Sequence, residues 1–275
     1  MSSNLPLVSI VTPSFNQGRF IEETILSVLN QDYPNIEYIV IDGSSTDGTL
    51  EILRKYEGQL TWVSEPDQGQ SDAVNKGWRL ARGEFLSWLN SDDVATPSAV
   101  SCSVNVLMDN RDVVMTFGAC DLIDASGQQI GVWELKEFDC RKLAGHPDWV
   151  SSPMMMIRRS ALEGVGMLDT SLHYAMDYDL FVRLSRHGKV QYLPVYLHRF
   201  RRHSAAKSVV GWDAHKREIL LVNKRYGSVQ RGRLLRQYWA ARIRIFTNSI
   251  LPVHARRFLQ RSFNSLTSVF PHNSR

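Results

Sequence analysis

Apolar positions along the first hundred residues fall into two rhythms. Leu7, Val8, Ile10 and Val11 form a short run that predicts a buried strand over 7–12, and Pro13 to Gly18 predicts the loop after it. Ile21, Ile25, Val28 and Leu29 then recur at spacings of four, three and one, the apolar face of a helix over about 19–31. The alternation continues with a strand over 36–42, a Gly/Ser/Thr turn, a helix through Leu50, Ile52 and Leu53, a strand over 60–64, a helix over 71–82 and a strand over 85–89. Strands and helices alternating at this interval predict a parallel sheet with right-handed crossovers. Such sheets bind ligands outside the carboxyl ends of their strands. Thr12-Pro13-Ser14, Asp42-Gly43-Ser44-Ser45, Glu65-Pro66-Asp67 and Asn90-Ser91-Asp92-Asp93 follow the successive strands and should share one edge.

The texture changes from Val113. A strand is expected over 113–118, a hairpin over 121–132 around Ala125-Ser126-Gly127, a turn over 164–168, and a helix entered through Met176-Asp177-Tyr178-Asp179. Residues 134–155 give weak signals apart from a loop around Gly145-His146-Pro147, and the body is expected to end near Phe200. No Gly-x-Gly-x-x-Gly follows the first strand and no Gly-Lys-Ser/Thr loop is present, which removes the main support for a dinucleotide oxidoreductase or a P-loop ATPase.

Composition sets broad limits. With 275 residues, 43% hydrophobic and 22% charged, the chain can bury the core of one large domain, alone or with an extension. Cys102, Cys120 and Cys140 stand far apart, which argues against a disulfide framework or a zinc site and suits a reducing cytosol. The first residues lack a basic, apolar leader pattern, and no run of about 18 apolar residues suggests a spanning helix. Charge is more informative. The net +4 conceals a division: residues 199–275 hold 17 of the 32 lysines and arginines but only Asp213 and Glu218 of the 28 acids, a local +15 against −11 on the remainder. Beyond Arg231 the arginines interleave with Leu234, Tyr238, Trp239, Ile243 and Phe246, a mixture suited to an interfacial helix on anionic lipid. A solvated helical face paired with body carboxylates is the plainer reading. Nucleic acid fits less well, because few aromatics stand among the arginines and the expected ligand-binding edge is acidic.

The densest chemistry lies at Asn90-Ser91-Asp92-Asp93. Adjacent carboxylates at the end of a buried strand need a cation or backbone donors. A hard metal, Mg2+ or Mn2+, carrying a phosphate meets that need, as does N-capping of the helix that Pro97 opens.

The strings Val8-Ser9-Ile10-Val11-Thr12-Pro13-Ser14-Phe15-Asn16, Ile41-Asp42-Gly43-Ser44-Ser45-Thr46-Asp47-Gly48-Thr49, Glu65-Pro66-Asp67-Gln68-Gly69-Gln70-Ser71-Asp72-Ala73 with Asn75-Lys76-Gly77, Asn90-Ser91-Asp92-Asp93 and Met176-Asp177-Tyr178-Asp179-Leu180 come in order. Together they resemble the family 2 inverting glycosyltransferases over about residues 6–210. The resemblance implies an α/β GT-A fold: a Rossmann-like, mostly parallel sheet flanked by helices, here with a basic, mostly helical C-terminal extension. A glycosyltransferase domain is expected at 1–200, nucleotide-binding over about 1–112 and acceptor-binding over about 113–200, with the basic extension, read from the charge division, at 201–275. The resemblance implies transfer of a sugar from an NDP-sugar, UDP-linked by preference, to a saccharide or lipid-linked acceptor, with Mn2+ or Mg2+ as cofactor.

By the same resemblance, Thr12, Pro13, Ser14, Asn16, Asp42, Gly43, Ser44, Asp67, Gln70, Asn75, Asn90 and Ser91 border the nucleotide, Asp42 accepting from the uracil imide. Asp92, Asp93 and His203 are the metal residues, Lys207 is a diphosphate contact and Asp177 is the general base, with Asp179 its competitor. His146-Pro147-Asp148-Trp149 is a candidate acceptor platform. Two positions depart from the family pattern: Asn90 replaces an aspartate and Met176 a glutamate. A catalytically weak nucleotide-sugar-binding protein is therefore the alternative, with a nucleic-acid module behind it. The expected location is cytoplasmic, peripheral on the inner face of the cytoplasmic membrane, without nucleic acid as a partner.

Overall fold

A computed structural model describes residues 5–135, 153–207 and 211–226. These belong to the first of two compact units, Met1–Ser228; the second, Val229–Arg275, lies outside the described residues, as does the 146–149 segment. The first half follows the expected alternation: β1 (Val8–Ser14), α1 (Ile21–Leu29), β2 (Ile36–Asp42), α2 (Thr49–Lys55), β3 (Thr61–Ser64), α3 (Gln70–Leu80), β4 (Phe85–Trp88), β5 (Val94–Ala95) and α4 (Ala99–Asp109). Then follow β6 (Val113–Ile123), β7 (Gln129–Trp133), β8 (Met156–Arg158), α5 (Arg159–Val165), α6 (Met176–His187), β9 (Lys189–Arg201) and α7 (Trp212–Arg225).

The strands form one sheet in the order β3-β2-β1-β4-β8-β6-β9-β5, with β7 attached to β6. Strands β1 to β4 are parallel, and β6 runs parallel to β9. The sheet is mostly parallel, as expected: β8 and β5 pair antiparallel with their neighbours, and antiparallel β6–β7 is the expected hairpin around Ala125-Ser126-Gly127. Because β8 reverses direction between β4 and β6, both β6 and β9 again point the same way as β1. The carboxyl end of β9 therefore reaches the edge where β1 to β4 end.

The helices cover both faces. Val8 and Ile10 of β1, Ile21, Ile25 and Val28 of α1 and Val100, Val104 and Leu107 of α4 are buried in one cluster with Phe85. Fully burying each such side chain contributes about 1.5–3 kcal/mol. Opposite, α3 lies close on β1: a Cβ on Gly77 would stand 2.4 Å from Val11 Cγ1, so only glycine permits this approach. Trp78 and Trp88, both buried, fill that side with ring centroids 5.6 Å apart.

Candidate active site

Parallel pairing aligns the polar strand ends. Ser14 is opposite Asp42 and Asp42 opposite Ser64, while β4 beside β1 feeds Asn90 to Asp93 to the same edge. From the far side, β5 pairs Val94 with Arg199 of β9, so Asp92 and His203 emerge together. The cleft between them has a volume of about 550 Å³.

Ten of the expected residues line it: Pro13, Ser14, Asp67, Gln70, Asn90, Ser91, Asp92, Asp177, His203 and Lys207. Ser14 Oγ is buried, with no hydrogen-bond partner among the described residues. A buried polar atom left in that state costs about 1–3 kcal/mol, so it is poised for a ligand atom. Asp92 Oδ2 lies 3.1 Å from His203 Nε2, and the imidazole packs on Phe20. Lys207 Nζ donates to Gln70 Oε1 (3.0 Å), Gln70 Nε2 to Asn90 Oδ1 (2.7 Å), and Asn90 Nδ2 to Asp93 Oδ2 (2.9 Å). Burial lowers the Lys207 pKa from its ordinary value, opposed by the charges of Asp177 and Glu218. Asp67 Oδ1 accepts from the Gly69 N–H (2.7 Å). Gly43 leaves room for it: a Cβ there would lie 2.6 Å from Asp67 Oδ2.

The remaining expected residues stand behind this lining. Asp42 is fully buried, its carboxylate accepting from Ser45 N, Ser45 Oγ and Ser64 Oγ. Asn16 and Ser44 both have left-handed backbones. Asn16 locks two loops together, its N–H donating to Ser45 Oγ (2.7 Å) and its Oδ1 accepting from Thr46 N–H (2.9 Å). Thr12 meets the Tyr38 hydroxyl at 3.0 Å. Asn75 is 3% exposed and exchanges two hydrogen bonds with the Leu168 backbone. Asp93 is turned inward at 1% exposure, held by Asn90 Nδ2 and by the Arg201 N–H at 2.9 Å. Burial, with the Asp92 charge adding to it, pushes the Asp93 carboxyl well above its ordinary pKa. N-capping explains neither aspartate, because α4 begins after Ser98.

The two candidate bases separate clearly. Asp177 lines the cleft and accepts from the Tyr178 N–H (2.7 Å). Asp179, 1% exposed, is held by Arg183 Nε (2.8 Å) and the Tyr226 hydroxyl (3.0 Å). Met176 turns to Ser71, whose hydroxyl lies 2.8 Å from its sulfur.

Several cleft features escaped the sequence reading. Phe15, 60% exposed, presents an aromatic face at the cleft. Arg201 is 2% exposed: Nε donates to the Asp92 carbonyl (2.8 Å), the guanidinium pairs with Glu23, and its carbon sits 5.0 Å from the Phe20 ring centroid. The Arg201-Arg202-His203 string held that signal. His173 and Tyr174 line the wall near Asp177 without a sequence signature.

Among the described residues, no group of three His, Cys, Asp or Glu side chains is placed to hold a metal by itself. The Asp92–His203 pair does suit two neighbouring ligands: cis ligands of an octahedral ion at about 2.1 Å stand about 3 Å apart, against the 3.1 Å found here. One carboxylate and one imidazole leave the other positions for diphosphate oxygens and water, as manganese and magnesium commonly arrange them.

An uncharacterized glycosyltransferase of Rickettsia prowazekii is 29% identical over 208 residues, 73% of this chain and 65% of the relative. The chondroitin synthase of Pasteurella multocida is 26% identical over 222 residues, 79% of this chain and 23% of the synthase. The chain thus spans less than two thirds of the length of the curated relatives it matches first. Among solved structures, residues 1–349 of S. aureus TarS in complex with UDP-GlcNAc align at TM-score 0.62 and 18% identity, covering 78% of this chain and 66% of that one. A mannosyltransferase from Pyrobaculum calidifontis in complex with GDP-Man and Mn2+ aligns at TM-score 0.64 and 17% identity, covering 98% and 82%. At such identities the likeness shows the fold, the GT-A arrangement. The profile of glycosyl transferase family 2 matches residues 9–166, more than half of the chain, and the protein belongs to that family.

Proposed function

We propose that this chain is an inverting glycosyltransferase moving a hexose or N-acetylhexosamine from a UDP-sugar to a saccharide or lipid-linked saccharide in surface polysaccharide or glycoconjugate synthesis. The carrying observation is that one cleft holds the Asp92–His203 pair and the Asp177 carboxylate at a common sheet edge. Ser14 Oγ, Asp67 and the Phe15 ring offer the nucleoside a hydrogen-bonding atom, a carboxylate and a stacking face. Asp42 supports that wall through Ser45 and Ser64. The likeness to the TarS complex with UDP-GlcNAc supports a UDP-sugar.

Asp92 and His203 would hold the divalent ion, which supplies charge neutralisation for the departing diphosphate. Lys207 lies close enough to Gln70 and the Asp177 charge to add its ammonium to the same anion. Asp177 accepts the acceptor hydroxyl proton as that oxygen attacks the anomeric carbon from the face opposite the leaving group. Asn90 takes the neutral place in the chain from Asp93 to Lys207. The basic sequence beyond Arg231 would attach the enzyme peripherally to the inner membrane face.

The test is nucleotide release from a panel of UDP- and GDP-sugars, with and without manganese and with saccharide acceptors. Manganese-stimulated release of UDP supports the reading. Binding of UDP-sugars without release from any of them would mark a nucleotide-sugar-binding protein instead.

A further inference from the structure

Helix α6 begins at Met176, and its N-cap residue, Ala175, provides no side-chain cap. The first turns of a helix carry backbone donors that need partners, and a partial positive charge. Here a partner for the N-cap amide and the two before it comes from α7, beyond the family-matched residues 9–166. Glu218 Oε2 accepts from the N–H groups of Tyr174 (2.7 Å) and Ala175 (2.9 Å), and Oε1 from that of His173 (3.1 Å). One carboxylate thus binds three successive amides directly before the Met176-Asp177 step.

The same helix face continues the attachment. The Tyr178 hydroxyl meets Asn223 Oδ1 at 3.0 Å, and Arg225 binds Asp169 at 2.6 Å. Ile219 and Val222 are buried between these polar contacts. At the start of α7 the backbone lies flat on the cleft residue Tyr174: a Cβ on Gly211 would fall 1.8 Å from the ring. Asp177 is therefore flanked by anchors on both sides, Ala175 before it and Tyr178 after it. A carboxylate that must meet a hydroxyl proton needs that fixity, since a misplacement of about 1 Å can cost about 10²-fold in rate.

We infer that Glu218 is a positioning residue for sugar transfer, fixing the backbone that aims Asp177 into the cleft. The inference rests on the reading of Asp177 as the base, so its test separates the two. UDP-release kinetics and UDP affinity are measured on the full chain for the parent, Glu218→Ala, Glu218→Gln, Asp177→Asn and the Glu218→Ala/Asp177→Asn double variant. Glu218→Ala is expected to lower kcat about 10- to 100-fold while leaving donor KM and UDP Kd within about 2-fold. Glu218→Gln, which keeps one acceptor oxygen, recovers part of the loss. The double variant is expected to be no slower than Asp177→Asn, because Glu218 acts through Asp177.

A parental kcat in Glu218→Ala, or losses that multiply in the double variant, would overturn the inference. Amide hydrogen exchange gives a second readout independent of the base. Residues 173–178 should exchange about 10-fold faster or more in the Glu218 variants, and unchanged exchange would also overturn it. If Asp177→Asn turns over at the parental rate while exchange behaves as expected, the base assignment fails and the brace stands. Should Glu218→Ala not fold, Glu218→Gln carries both measurements.

Discussion

Asp92 and Asp93 are neighbours in sequence with opposite surroundings. Asp93 is sunk beneath the cleft and fastened by Asn90 and the Arg201 backbone, whereas Asp92 faces His203. This division suits the amide at position 90: its Nδ2 donates to Asp93 at 2.9 Å, a hydrogen bond that an ionised carboxylate there could not donate. It also divides the expected metal residues: Asp92 and His203 remain the proposed ligands, while the Asp93 carboxylate is committed to the loop. Asp92→Ala should therefore weaken manganese-dependent UDP binding by about 10-fold or more, since even outer-shell changes commonly cost 10- to 100-fold in metal affinity. Isothermal calorimetry with and without manganese checks it. The same metal-dependent affinity in variant and parent would remove Asp92 from the role.

At the scale of elements, α7 ties together residues 169–175 and the helix bearing Asp177, and one of its ties is sensitive to acid. Burial tends to raise the Asp169 pKa, but hydrogen bonds from Ser171 and Arg225 outweigh it and hold the carboxyl below its ordinary value. A depressed folded-state pKa contributes stability that is complete above the unfolded value of about 3.9 and lost as pH falls through the folded value. Parent protein should lose more Tm than Asp169→Asn between pH 5 and pH 2.5. The difference should be small, since a partly exposed pair contributes about 0.2–1 kcal/mol. Equal acid sensitivity would show that the pair adds nothing.

These elements were unevenly legible in the sequence. Strands β1, β2 and β4 announced themselves as short, mostly apolar runs because the sheet buries most of both their faces. Strand β9 did not: Pro194 interrupts it, the β6–β9 register shifts beside Gly118 and Ala119, and buried His198 and Arg201 read as surface residues. Strands β5 and β8 are two and three residues long, too short for a periodic signal. The cleft residues after β1 and β4 were legible as polar punctuation at strand ends. Glu218 was not, because the amides it binds lie 43 to 45 residues earlier and no local pattern records such a contact.

For the whole molecule, the excess of positive charge lies in residues 199–275. No helix among the described residues is long and apolar enough to cross a membrane, so the membrane proposal rests on the basic sequence from Arg231 onward. Each basic residue near an anionic leaflet contributes about 1 kcal/mol, an attraction that salt screens. The full chain should co-sediment with anionic but not neutral vesicles at low salt and be released at high salt, while a chain ending at Gly227 should stay in the supernatant. Equal pelleting of the two would contradict peripheral attachment through this segment. The central claim, that an aspartate base acts across a metal–diphosphate site, is tested most directly by UDP turnover of Asp177→Asn measured beside its manganese-dependent UDP affinity. Asp177→Asn should turn over about 10²-fold more slowly or worse with affinity nearly unchanged; parental turnover in that variant would contradict an aspartate base at this position.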